Sequence, residues 1–252
     1  MLRSLIFNVL FFILITAVML IWMPCFVLPR RFLLGAQEAW AKILVLVMAW
    51  IIPLRVEIRG ASRLPKTPCI VAAKHQSAWD TFIFHLLLKD PVFVMKKELA
   101  YVPLYGWYTL KTGMIPVDRK GGAKAMRKML KKADRAIRDG RPIVIFPQGT
   151  RVAPDAKAPY LPGVGGLYRH LKVPVAPVAL NSGLYWPRRQ FMRWPGTIVL
   201  EFLEPIEPGL PRREFMRRLE NEIETASARL VAEGRAVDKL PPPDPVNSGD
   251  NC

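Results

Sequence analysis

The chain has 252 residues, 51% of them hydrophobic and 23% charged, which is enough apolar material for one domain core plus an appendage. With 37 Lys and Arg against 20 Asp and Glu, the formal net charge of +17 calls for anionic partners and excludes a protein built to hold cationic ones. The 3 cysteines, Cys25, Cys69 and Cys252, fall in an apolar run, a strand-like segment and a polar tail, a spacing that suits neither a disulfide framework nor a metal site and fits a reducing compartment.

From Ser4 to Pro29 no residue is charged, and Leu, Ile, Phe, Val and Met dominate. Such a run is long enough to cross a hydrocarbon core of about 30 Å. A cleaved signal peptide would have a shorter apolar region, roughly 7–15 residues, and a small-x-small site that Met23-Pro24-Cys25-Phe26-Val27 does not offer, so a retained anchor is predicted. The next uncharged run, Ile43 to Leu54, is too short to span alone and follows Gln37, Glu38, Trp40 and Lys42. It reads as an interfacial segment, either an in-plane helix with Trp40 and Trp50 near the headgroups or a shallow hairpin with the first run; an ordinary core helix is the competing reading. Arg3 alone precedes the first run while Arg30, Arg31 and Lys42 follow it, so positive-inside bias places the remaining chain on the cytoplasmic side of the membrane.

After Leu54 short apolar runs alternate with helical stretches, the pattern of an α/β fold with a mixed, mostly parallel sheet flanked by helices. Strands are expected at 55–59, 69–73, 92–95, 114–117, 142–146, 173–180 and 197–202. The clearest helix is 123–138, with Met126, Leu130, Ala133 and Ile137 on one face, cations elsewhere and Gly140 at its end. From Leu240 the chain is polar and Pro-rich without apolar periodicity, the composition of a disordered tail. The expected organisation is therefore a membrane-associated helical region (1–54), an α/β domain (55–239) and a tail (240–252). Both nucleic acid and acidic lipid suit the charge, but the anchor favours membrane lipids, and no nucleic-acid module signature appears.

Two segments carry chemistry: Lys74-His75-Gln76-Ser77-Ala78-Trp79-Asp80 and Phe146-Pro147-Gln148-Gly149-Thr150-Arg151. Each follows an apolar β-branched run, so both emerge at strand ends, where open α/β sheets place ligands. If Asp80 opens a helix, the loop folds back so that its carboxylate meets one imidazole nitrogen of His75 and leaves the other as a base. The plainer alternative is an N-capping carboxylate beside an incidental histidine. His85 and Asp90 repeat the spacing, yet His85 lies within Phe82-Ile83-Phe84-His85-Leu86-Leu87-Leu88 and reads as a packed core residue. The second segment reads either as a plain turn with an exposed Arg151 or as a turn whose N–H groups and Arg151 cradle phosphate. No Gly-x-Ser-x-Gly elbow is present, and one His with one Asp makes no metal site, so a base without a protein nucleophile implies that the substrate supplies the hydroxyl.

The two segments together resemble the conserved blocks of the glycerolipid acyltransferase family, particularly its bacterial 1-acyl-sn-glycerol-3-phosphate acyltransferases. His75 and Asp80 match a His-x-x-x-x-Asp block; Gly113-Met114-Ile115-Pro116-Val117-Asp118-Arg119 matches a second; Phe146 to Arg151 matches Phe-Pro-Glu-Gly-Thr-Arg with Gln148 in place of Glu; Val173-Pro174-Val175-Ala176-Pro177-Val178 matches a fourth. The segment Lys96-Lys97-Glu98-Leu99 also resembles one lying between the first two blocks. The resemblance implies acyl transfer from a thioester, acyl-CoA or acyl carrier protein, to the sn-2 hydroxyl of a lysophospholipid acceptor, with no other cofactor. It gives His75 the role of base, Asp80 that of orienting it, Arg119 and Arg151 that of holding phosphate, and Lys96 with the Gly149 turn that of stabilising the oxyanion. Because Gln148 carries no charge and does not titrate, only a hydrogen-bonding role survives there, another lysolipid such as a lyso-aminolipid becomes an alternative acceptor, a non-catalytic basic lipid-binding membrane protein is the alternative to an enzyme, and Gln148→Glu is expected to change turnover less than about tenfold.

Overall fold

The computed structural model describes residues 1–238 and 240. Among them one sheet holds β1 (Leu54–Arg59), β2 (Ile70–Ala73), β3 (Val92–Lys96), β4 (Ile115–Val117), β5 (Ile143–Ile145), β6 (Val175–Leu180) and β7 (Gly196–Phe202), in the order β1-β7-β6-β2-β5-β3-β4. Every neighbouring pair is parallel except β6 with β7, so the sheet is mixed and mostly parallel, and each strand ends within two residues of its expected limits. β2 to β5 all point their C-terminal ends to one edge, which gathers His75, Lys96, Arg119 and the Phe146–Arg151 turn there.

Strand alternation decides what each face receives. In β2, Val71 and Ala73 pack in one core with Phe84, Phe93 and Leu44, while Ile70 and Ala72 pack in the other with Met129, Val164 and Phe215. The first core lies under α1 (Leu2–Ile21), α2 (Arg30–Ile51) and α3 (Trp79–Leu87); the second lies under α5 (Gly122–Arg138), α6 (Pro162–Leu171) and α7 (Arg212–Val237), with α4 (Tyr105–Lys111) joining β3 to β4. α5 buries Met129, Ala133 and Ala136, one step round from the expected stripe, with Met126, Leu130 and Ile137 at its margin. Gly140 ends it at φ +75°. The expected tail lies, apart from Leu240, outside the described residues.

The N-terminal runs form a helical hairpin, each helix long and apolar enough to cross a membrane. The hairpin is tied to the domain along its length. Near the start of α1, the Ser4 hydroxyl donates to the Arg193 carbonyl at 3.3 Å, the Asn8 amide donates to the Phe191 carbonyl at 2.9 Å, and Phe7 is fully buried with its ring 5.1 Å from that of Trp186. Near its end, the Tyr108 hydroxyl donates to the Met19 carbonyl at 2.5 Å, Lys111 donates to the Phe26 carbonyl, and Arg30 pairs with Asp90. The outward face stays apolar: Leu2, Leu5, Val9, Phe12, Leu46 and Trp50 are exposed.

Candidate active site

β2 ends at Ala73, and its alternation continues into the loop: Lys74 turns toward α7 and His75 toward the helical hairpin. α3 begins at Trp79, which puts Asp80 in its first turn, fully buried. Its Oδ2 accepts hydrogen bonds from His75 Nδ1 at 2.9 Å, from the Gln76 N–H at 2.7 Å and from the Ser77 N–H at 2.8 Å, and its Oδ1 accepts the Ser182 hydroxyl at 2.5 Å. Asp80 is not the N-cap of α3, which is Ala78 without a side-chain cap hydrogen bond; its carboxylate instead closes the loop before the helix and meets His75. Two backbone N–H groups already donate to Oδ2, so that oxygen is an acceptor, and a neutral imidazole meets it through a proton on Nδ1, which leaves the Nε2 lone pair for a substrate. Phe146 lies under the imidazole with ring centroids 4.0 Å apart and planes at 18°, a second constraint on its orientation.

His75 faces a cavity of about 390 Å³ whose far wall is the hairpin: Phe11, Ile15 and Met19 from α1, Leu33, Ala36 and Trp40 from α2. An apolar cavity that opens on a base and is closed by membrane-type helices suits a hydrocarbon chain. Arg119, Lys96 and Gly149 line the same cavity, so these expected site residues do meet His75. Arg151 is half-buried and does not line it; its carbonyl accepts Arg188 Nη1 at 3.0 Å. Burial, with repulsion from Arg188 next, holds the Arg151 guanidinium below its ordinary pKa, and burial does the same to Arg119. Asp80 and Glu98 offset part of this burial cost at Arg151 and Arg119 respectively, and an anion brought to the two guanidinium groups would offset more.

The turn after β5 has Gly149 at φ +68°, and a Cβ there would stand 2.5 Å from Leu161 Cδ1 and 3.5 Å from Arg119 Cζ. The left-handed backbone and the close approach to Leu161 both favour glycine here, while Arg119 lies at ordinary contact distance. The Gly149 N–H donates to the Phe146 carbonyl at 2.9 Å, which commits that N–H to the turn rather than to an oxyanion. Thr150 is exposed, and Lys96 is about half exposed, 3.7 Å from Glu98. Gln148 is 5% exposed and turns away from the cavity, its amide nitrogen 3.3 Å from Glu224 of α7. His85 lines the cavity without joining Asp90, which Arg30 and Arg141 occupy instead; burial lowers its pKa to about 4. Sequence reading missed Ser182, Arg188 and Glu224, all remote in the chain from the motifs they serve.

A histidine held by a buried aspartate at the C-terminal edge of a mostly parallel sheet, facing an apolar cavity with cations at its rim, suits proton transfer beside a hydrocarbon chain. The sequence pattern of the Acyltransferase family matches residues 55–181. The chain is 32% identical to the 1-acyl-sn-glycerol-3-phosphate acyltransferase of Pseudomonas aeruginosa over 76% of its own length and 77% of that protein's. It is 30% identical to the enzyme of that name from Saccharomyces cerevisiae over 68% of this chain and 58% of that one. The crystal structure of the 1-acyl-sn-glycerophosphate acyltransferase PlsC from Thermotoga maritima superposes with a TM-score of 0.73 over 92% of this chain and 97% of that one, at 22% identity. The chain belongs to the acyltransferase family and is an acyltransferase.

Proposed function

We propose that the chain transfers an acyl group from a thioester to the sn-2 hydroxyl of 1-acyl-glycerol-3-phosphate, giving phosphatidic acid. The observation that carries this reading is the His75–Asp80 pair at 2.9 Å facing the cavity closed by the N-terminal hairpin. His75 Nε2 takes the proton of the acceptor hydroxyl as its oxygen attacks the thioester carbonyl. The tetrahedral intermediate collapses with cleavage of the C–S bond, and the proton passes from Nε2 to the departing thiolate. Asp80 holds Nδ1–H throughout and stabilises the transient imidazolium. No protein acyl intermediate is needed, because the acceptor takes the place a serine would fill.

Arg119 at the cavity and Arg151 beside Arg188 supply positive charge for the acceptor's phosphate, and Lys96 faces the developing oxyanion from the cavity wall. The names of the relatives support this acceptor, and the internal bonding of Gln148 leaves its departure from the common Glu without a contact that would favour another lysolipid. Since both ends of α1 contact the domain, its exposed apolar face supports attachment of the hairpin sideways to the cytoplasmic face of the inner membrane, as a shallow insertion. A lysolipid would then enter the cavity from the leaflet without exposing its tail to water, a transfer that otherwise costs about 0.8 kcal/mol per CH₂. Purified protein offered lysophosphatidic acid and other lysolipids with acyl-CoA or acyl carrier protein tests the reading. Phosphatidic acid formation supports it, and turnover confined to a lysolipid without a phosphomonoester would replace the acceptor.

A further inference from the structure

Behind the site, on the α7 side of the sheet, lies a polar cluster that makes no bond to the reacting atoms, with Lys74 and Gln148 buried and the Glu224 side chain 28% exposed. Lys74 is 1% exposed, and its Nζ stands 2.6 Å from Glu224 Oε2. The other oxygen, Oε1, accepts the Tyr160 hydroxyl at 2.9 Å and the Gln148 amide at 3.3 Å. Three segments of the site thus converge on one carboxylate from α7. Lys74 directly precedes His75, Gln148 directly precedes Gly149, and Tyr160 precedes Leu161, whose N–H donates to the Pro147 carbonyl at 2.8 Å and whose side chain fills the space beside Gly149.

Charge counting gives the cluster its logic. One ammonium faces one carboxylate, and a buried ion left without its partner is far more costly than a matched pair. A glutamate at position 148 would set a second carboxylate within hydrogen-bond distance of the first. The amide at 148 instead donates to Glu224 and adds no further carboxylate to a cluster on which Glu220 also acts through Tyr160; its own Oε1 is buried without a partner among the described residues.

We infer that Glu224 is a positioning residue for acyl transfer: as the counter-ion of Lys74 and the acceptor of the Gln148 amide it locks the end of β2 and the Gln148–Gly149 turn together, and it carries in α7 the carboxylate that this cluster needs. Gln148 and Glu224 are accordingly an exchangeable pair, in which the carboxylate can stand on either element provided there is one. The inference rests on the acyl-transfer reading for its effect on rate, and on charge balance alone for its effect on stability.

The experiment compares wild type, Glu224→Gln, Gln148→Glu and the double exchange Gln148→Glu/Glu224→Gln, as full-length protein, by thermal unfolding and by kcat and KM for lysophosphatidic acid with acyl-CoA, scaled to the folded fraction. Glu224→Gln strands Lys74, and Gln148→Glu crowds two carboxylates on one ammonium, so each single variant should unfold at a lower temperature and lose at least tenfold in kcat with KM for acceptor changed less than threefold. The double exchange should recover most of both losses. If both single variants keep the wild-type kcat per folded enzyme, the positioning role is overturned and a purely structural cluster remains. If the double exchange is no better than the worse single variant in either readout, the exchangeable pair is overturned. Should wild type turn over no lysolipid, the acyl-transfer reading fails by itself, while the order of unfolding temperatures still decides the counter-ion assignment.

Discussion

The backbone N–H of Val152 donates to the carbonyl oxygen of His75 at 2.8 Å, so the two motif segments, far apart in the chain, are hydrogen-bonded to each other beside the base. Phe146 under the imidazole ties them a second time. The site is thus one rigid unit built across the adjacent strands β2 and β5, with Asp80 as its internal brace.

That brace is testable. Asp80→Asn keeps the size of the side chain but gives it an NH₂ group that must face a donor in a site where Nδ1–H, two backbone N–H groups and the Ser182 hydroxyl all point inward. Turnover should fall by about 10³-fold or more, since the imidazole loses both its tautomer and the partner of its cation. Steady-state kinetics on folded variant, with Ser182→Ala as a milder companion, measure it; near wild-type turnover in Asp80→Asn would show that the carboxylate only closes the turn.

Much of this was legible beforehand, and the physical reason is local. Strand segments such as Ile143–Ile145 announce themselves by β-branched apolar runs, whereas His75, Asp80 and Gly149 stand out only through the resemblance of several ordered blocks, since the His–Asp spacing by itself left a plain alternative open. The partners Ser182, Arg188 and Glu224 reach the site only through tertiary packing, which periodicity does not report. α7 itself was readable, since Phe215, Leu219, Ile223, Ala226 and Leu230 fall on one face, yet its dense charges obscure that stripe. The bonding of Gln148 to Glu224 also replaces the expectation of a mild Gln148→Glu variant with that of a costly one.

The cations at the rim divide by position. Arg119→Ala, in the cavity, and Arg151→Ala, beside Arg188, should each weaken use of a phosphate-bearing acceptor, by roughly 1.5–3 kcal/mol if the contact is desolvated. The loss should appear in kcat/KM for the acceptor and spare KM for the thioester. Arg188→Ala, which sequence gave no reason to choose, should share the phenotype of Arg151→Ala; wild-type acceptor kinetics in all three would remove the phosphate role.

α1 belongs to the core of the domain as well as to the membrane region. Deleting residues 1–29 exposes the buried surface around Trp186 and unroofs the cavity wall formed by Phe11, Ile15 and Met19, so the truncated chain should be destabilised and not merely released from membranes. Denaturant unfolding of the truncated and full chains in detergent measures this. Equal stability would mean that the hairpin is only a tether.

His85 supplies a pH dependence of stability. Burial lowers its pKa from 6.5 to about 4, so the folded chain holds fewer protons there than the unfolded chain between those values. Stability contributed by the neutral ring is complete above about pH 6.5 and declines as the pH falls, reaching a total loss of about 3 kcal/mol below pH 4. His85→Gln, which cannot be charged, should flatten this part of the unfolding profile; an unchanged slope would place the acid sensitivity elsewhere.

The most direct test of the account compares turnover of lysophosphatidic acid by His75→Ala and His85→Ala in folded, membrane-reconstituted protein. Both histidines line the same cavity, and both stand five residues before an aspartate, but His75 alone is bonded to its aspartate. His75→Ala should lose about 10³-fold or more in kcat while His85→Ala stays within about tenfold of wild type. Loss of turnover in His85→Ala with activity retained in His75→Ala would contradict the account.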